Sequence, residues 1–212
     1  MANERKHLVP RILELISDLF VLNLLTLLTS LPLVTAGASF TAMHTILIRL
    51  ARNEEGYVAK SYLIAFRRNF KDSTLTWLIV LAIALPAAGE LIAYRIDRSI
   101  FPAPLVVIAA AVLLLLLMIL QFLFPLEAYF DNTITGTLRN AMALTAAKFP
   151  RVILMTLIWC LPIAMLYSGS LILLPLLVLF GYAVPGYLCE KIYDGILLSL
   201  EEQSNQNIGG KV

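Results

Sequence analysis

"SLPLVTAGASFTAMHTILIRLARNEEGY", residues 30–57, decides the fold of this 212-residue chain. It follows an apolar run long enough to cross a bilayer, and it closes on a charged stretch. Two readings compete. Either the chain crosses once through residues 16–34 and emerges, or it turns at Thr35 to Ala38 and returns through a short helix, Ser39 to Leu50. The choice sets the orientation of every later segment.

Composition fixes the solvent before the topology. The chain is 60% hydrophobic and only 14% charged, with a mean hydropathy of +0.86, whereas a soluble domain carries about 25% charged residues. This is an integral membrane protein, and its first partner is the lipid bilayer. A net charge of +2 is too small to suggest a nucleic-acid binder, and the basic residues lie in short clusters between apolar runs. Cys160 and Cys189 fall within apolar runs and belong to no CxxC or Cys/His spacing, so no metal is expected. Arg5, Lys6 and Arg11 ahead of an apolar stretch, with Ala36-Gly37-Ala38 behind it, imitate a signal peptide. The apolar stretch is longer than the roughly 15 residues of a usual signal core, so it is read as a retained span.

A spanning helix needs about 20 apolar residues at 1.5 Å each. Residues 16–34, 75–93 and 105–126 qualify. Residues 152–189 carry no charge and as one helix would reach roughly 57 Å, nearly twice the hydrocarbon thickness of about 30 Å. They are expected to form two helices folded back at Ser168-Gly169-Ser170. These five spans become six if the opening stretch turns back, and the positive-inside rule decides for six. With five, Arg5, Lys6, Arg11, Arg95 and Arg98 all lie outside. With six, only Arg95 and Arg98 do. The expected architecture is an all-α polytopic transmembrane bundle of six segments in three hairpins, with both termini cytoplasmic. "LTSLP" ending at Pro32, "AIALP" at Pro86 and "IWCLP" at Pro162 suggest a repeat in which each run turns outside and returns. Residues 1–200 form the membrane domain, and 201–212 read as a polar, disordered tail.

Two cytoplasmic segments have an amphipathic pattern. Between the second and third segments, Tyr62, Leu63, Phe66 and Phe70 share one helical face and Lys60, Arg67, Arg68 and Lys71 the other, which predicts an interfacial helix with its aromatic side on the inner leaflet. In the second, Leu138, Met142, Thr145 and Phe149 form a stripe, with Asn132 or Thr133 placed to cap the helix.

Asn23, Leu31-Pro32, Thr35, Gly37, Arg49, Glu54-Glu55-Gly56-Tyr57, Phe66 and Asn69-Phe70-Lys71 form a pattern that resembles the YesL-like family of bacterial membrane proteins. The likeness extends over the whole chain in hydropathy, but its specific motif lies in the first third. Members of that family are bacterial, have no established activity and are often encoded near carbohydrate-uptake and polysaccharide-degradation systems. The resemblance therefore implies a bacterial cytoplasmic-membrane protein beside carbohydrate uptake, with a carbohydrate ABC transporter permease or another membrane protein as the expected partner.

Ionisable and amide side chains within spans are functional candidates by default. Asn23, His44 and Gln121 form the candidate intramembrane polar site. Asp18, Glu90 and Glu127 lie near span ends and read as interfacial. No HExxH, GxSxG or paired-acid arrangement is present, so no catalytic residue and no cofactor is expected. His44 has no acid near it in sequence and reads as a helix-to-helix hydrogen-bond partner. "NEEGY" is the most distinctive polar element. Gly56 is expected to end the second helix, while Glu54 and Glu55 stand at the negative end of the helix dipole. They imply either an intramolecular clasp with nearby arginines or a contact with a partner. The expected functional surface comprises Glu54, Glu55, Gly56, Tyr57, Phe66, Arg67, Arg68, Asn69 and Phe70. The leading reading is a non-enzymatic accessory protein. The alternative is a small-molecule transporter of sugars or oligosaccharides with its pathway through Asn23, His44 and Gln121.

Overall fold

The computed structural model describes residues 2–54, 56–130, 133–167, 174–192 and 195, and among these every regular element is helical. The helices are α1 (Ala2–Ser30), α2 (Ala36–Ala51), α3 (Val58–Ile96), α4 (Ala103–Tyr129), α5 (Ile134–Ala147), α6 (Phe149–Tyr167) and α7 (Leu174–Phe180). A further helical segment, 183–192, follows α7 after a break at Gly181 and Tyr182. The expected fold-back at 168–170, the tail 201–212 and Glu55 lie outside the described residues.

The chain does turn back after the first span, but earlier than the sequence suggests. α1 ends at Ser30, a single 3-10 turn covers Leu33–Thr35, and α2 begins at Ala36. Pro32 sets this position because it has no N–H to continue the α1 ladder. The Thr35 hydroxyl donates to the Thr29 carbonyl at 2.7 Å, satisfying an acceptor that the helix end leaves open. Gly37 is therefore not the turn. It lies in the first turn of α2, where an added Cβ would stand 2.4 Å from Trp77 Cβ and 2.5 Å from the Ser73 carbonyl oxygen. Its missing side chain lets α2 press onto α3, as small residues do between membrane helices. Across this contact Trp77 Nε1 donates to the Leu33 carbonyl at 2.8 Å.

α2 is the axis of the molecule. Of the stretch Leu33–Ala51, 61% is buried, against 17% for the spanning windows of α3 and of α4. Leu19 and Leu22 of α1, Met43, Ile46 and Leu47 of α2, Tyr62 and Ala65 of α3 and Ala183 form one apolar cluster. Phe122, Leu123 and Leu126 of α4 join Ala141, Val152, Met155 and Cys189 in another.

The segment after α2 departs most from expectation. No separate interfacial helix precedes the second long span, because α3 is continuous for 39 residues, or about 58 Å. Nothing before Pro86 interrupts it. The aromatic stripe also points differently. Tyr62 has no exposure, its hydroxyl stands 2.5 Å from that of Thr29, and half-buried Phe66 joins the same cluster. An aromatic stripe has the same periodicity whether lipid or protein covers it. Here the α1–α2 hairpin covers Tyr62 and Phe66, leaving Leu63 and Phe70 outward.

The Leu-Pro repeat does not mark repeated turns: Pro86 and Pro162 are both interior to helices. α5 is a distinct helix bent by 100° from the segment Phe149–Pro162. Thr133 caps it, its hydroxyl accepting from the Gly136 N–H at 3.3 Å. Its buried face is Thr137, Ala141 and Thr145, which shifts the expected stripe and leaves Met142 and Phe149 exposed.

Four helical stretches are long and apolar enough to span a bilayer, Pro10–Ser30, Leu33–Ala51, Val58–Ile96 and Ala103–Tyr129, with a fifth if the bent pair Ile134–Ala147 and Phe149–Pro162 is one span. The sixth expected segment corresponds to α7 and 183–192, which is broken at Gly181 and Tyr182.

Candidate functional site

Three polar arrangements distinguish this bundle from a purely apolar one. The first lies where Asn23 of α1 meets the break after α7. The Asn23 amide nitrogen donates to the Val178 carbonyl at 2.6 Å. Its Oδ1 accepts from the Tyr182 and Ala183 N–H groups at 2.8 and 2.9 Å. One amide thus serves the carbonyl end of α7 and the amide end of 183–192, groups that cannot be left unsatisfied within lipid. Gly181 is needed at this break, since a Cβ there would stand 2.3 Å from the Leu177 carbonyl oxygen.

His44 and Glu190 form the second arrangement. His44 Nδ1 and Glu190 Oε1 are 2.5 Å apart with both side chains almost wholly enclosed. The contact ties α2 to the segment after the break, and Lys191 reinforces it by donating to the Ala51 carbonyl at 2.7 Å. His44 is thus the helix-to-helix partner its sequence context suggests. Its acid, 146 residues away along the chain, could not be paired with it from sequence. The one available signal was "CEK" at the close of an apolar run. Gln121 is buried on α4, while Asn23 bonds to Val178, Tyr182 and Ala183 and His44 to Glu190.

The third arrangement is open. Glu127, expected at the interface, accepts from the Thr41 hydroxyl at 3.1 Å and lines a cleft of about 410 Å³ between α3, α4 and α5. Asn69, Asp72 and Ser73 of α3 and Thr133 and Thr137 at the start of α5 line it too. The Asn69 Nδ2 atom is buried with no hydrogen-bond partner. Sequence reasoning assigned Asn69 to a surface motif and found neither Asp72 nor the cleft.

On the surface that sequence singled out, α2 is ended by Asn53, whose φ of 57° places it in the left-handed region, rather than by Gly56. Asparagine tolerates that conformation at a helix end. Gly56 has a different role: a Cβ there would stand 2.9 Å from an Arg49 guanidinium nitrogen. Arg49 uses this space to pair with Glu54 at 3.4 Å and to donate to the Ser61 hydroxyl at 3.0 Å. This is the intramolecular clasp, realised for Glu54. Tyr57 stands out at 86% exposure, and Arg67 and Arg68 are also exposed. Among the described residues, no three His, Cys, Asp or Glu side chains gather as a metal site.

Residues 19–87 match the model of a protein family of unknown function, DUF624. The matched region begins at the buried Leu19 and ends within α3, so it includes Asn23, His44, the Arg49–Glu54 clasp, Asn69 and Asp72. Glu127 and Glu190 lie beyond it. No curated protein and no solved structure matches the chain.

Proposed function

We propose that this is a non-enzymatic accessory protein of a bacterial cytoplasmic membrane, YesL-like in character, with both termini on the inner side. It acts beside a carbohydrate-uptake system by contacting a permease. The contact surface is residues 53–71, where Tyr57, Arg67 and Arg68 project. What carries this reading is the contrast in how polar groups are used. Asn23 and His44, the residues a translocation path would need, are bonded within the chain, while the segment after α2 displays an aromatic side chain and two guanidinium groups to solvent. Aromatic and arginine side chains are those enriched at the centres of protein interfaces.

The transporter reading retains one supporting observation. A helix broken within the bundle and bridged by a single amide resembles the discontinuous helices that frame substrate sites in transporters. The two readings separate on one experiment. The accessory role expects a permease to co-purify from native membranes and to be lost on combining Tyr57→Ser with Arg67→Ala, with no sugar uptake by the protein alone in proteoliposomes. Uptake by the isolated protein, lost on Asn23→Leu, would establish the transporter instead.

A further inference from the structure

We propose that the corner between α5 and α6 is a docking surface for acidic phospholipid headgroups. Geometry comes first. α6 has 19 residues, about 28 Å of helix, close to the hydrocarbon thickness of about 30 Å, and it carries no charge after Arg151. Its side chains Ile153, Leu154, Leu157 and Leu161 are exposed, an apolar stripe of the kind that meets lipid. A spanning helix tilts by about 20° on average from the bilayer normal. α5 is bent by 100° from the segment Phe149–Pro162, so it lies along the membrane surface. The bent pair is thus one span and one surface helix.

Charge comes next. Arg139, Lys148 and Arg151 are all exposed, and among the described residues none of them has an ion-pair partner. No Asp or Glu occurs between residues 132 and 189, so nothing nearby in sequence offsets the three cations. The acids that α5 does approach, Asp72 and Glu127, line the cleft that Thr133 and Thr137 share. Thr137 belongs to the buried face with Ala141 and Thr145, whereas Arg139 projects from the opposite side of the helix. Position then names the partner. Lys148 and Arg151 stand where the exposed stripe of α6 begins, at the level where hydrocarbon gives way to headgroups. Met142 and Phe149 beside them are exposed as well and extend the apolar surface to this level. Long basic side chains at such a boundary keep their stems in apolar surroundings and their charges among the phosphates. Zwitterionic lipid also has a phosphate, but its own ammonium cancels the charge. An acidic headgroup is therefore favoured, each base near an acidic leaflet contributing about fivefold. This surface is separate from residues 53–71 and does not depend on the accessory role proposed above.

The test uses the full chain with Cys160 and Cys189 replaced by Ser and a bimane fluorophore on Ala146→Cys, an exposed position of α5, in vesicles of phosphatidylcholine. Phosphatidylglycerol or phosphatidylcholine with a nitroxide high on its acyl chain is added as a minor component, and quenching reports which lipid gathers at the probe. Phosphatidylglycerol is expected to be enriched at least about fivefold over phosphatidylcholine. Combining Arg139→Gln, Lys148→Gln and Arg151→Gln should abolish the enrichment. High salt should reduce it in the chain that keeps all three bases, because exposed charges are screened, and this arm tests the surface even if the triple variant fails to fold. A probe on Leu115→Cys, in the exposed middle of α4, should show no preference. The proposal is overturned if the two lipids quench equally at position 146, if neither quenches there, if the enrichment survives the triple substitution or is unchanged in high salt, or if position 115 shows the same enrichment.

Discussion

The body around α2 and the arm made by the second half of α3 with the first half of α4 are both helical and apolar, yet they are built on opposite rules. In the body, residues 36–48 bury Ala, Gly, Ser, Thr and His as well as Met, Ile and Leu, and Ser39, Thr41 and His44 each meet a partner, on the preceding turn or on another helix. In the arm, Ile79, Ile83, Leu85 and Ile92 of α3 and Val107, Ile108, Leu114 and Leu115 of α4 are exposed. The less apolar segment is the more enclosed one. Lipid rewards a large apolar side chain no more for facing protein than for facing acyl chains, so helices associate through close approach and through polar groups that need one another. Hydrophobicity places a segment in the bilayer, and the small and polar residues decide what it touches.

The largest expected effect breaks the body's buried contact between His44 and Glu190. His44→Leu leaves Glu190 without its imidazole, and removing one member of a buried pair costs about 3 to 5 kcal/mol. Unfolding in mixed detergent micelles should show that loss, whereas Ile83→Ala in the arm should cost well under 1 kcal/mol because its side chain already faces outward. Glycine gives the same contrast by the opposite change. Gly37→Val should destabilise by about 3 kcal/mol through overpacking against Trp77 and Ser73. Gly89→Val, at a position with nothing within 4 Å of its Cβ, should leave stability nearly unchanged. Asn23→Leu should cost about 2 kcal/mol, since interhelical hydrogen bonds in bilayers are each worth on the order of 0.6 kcal/mol and this one side chain makes several.

These positions show what the sequence could and could not say. The turn back after α1 was legible because the distribution of basic residues and Pro32 agree on it, and Thr133 was legible as a cap because its chemistry is local. Gly37 was noticed for the wrong reason. A glycine before a helix suggests a turn, while the contact that needs it lies 36 to 40 residues on, at Ser73 and Trp77. Tyr62 and Phe66 were correctly placed on one face, but periodicity does not reveal what covers a face. His44 was legible as a bonding partner and Glu190 was not, because nothing local links α2 to a segment 146 residues further along the chain. Asp72 and Glu127 each look like ordinary acids near helix ends until α3 and α4 are set side by side.

The smallest effects lie at the rims of the two regions. Glu54→Gln breaks a half-exposed pair and should change stability by no more than about 0.5 kcal/mol, which makes it a clean probe of partner binding. At the tip of the arm, the Ser99 N–H and hydroxyl both bond Asp97 Oδ1 at 2.8 Å and hold its carboxyl below the usual carboxylate range. A carboxyl depressed on folding stabilises the native state above its unfolded value and loses that contribution as pH falls through the folded one. An NMR titration of Asp97 should therefore find its midpoint below that of an unstructured aspartate, and Ser99→Ala should move it back up.

The central structural contrast is that α2 is sheathed by protein while the α3–α4 arm meets lipid. Single spin labels in bilayers, placed in a chain with Cys160 and Cys189 replaced by Ser, test this directly. Labels at Ala42, Ile46 and Leu47 are expected to be shielded from both oxygen and a water-soluble relaxant, and those at Ile83, Ile92 and Ile108 to be strongly accessible to oxygen. Equal oxygen accessibility at the two sets of positions would contradict the account.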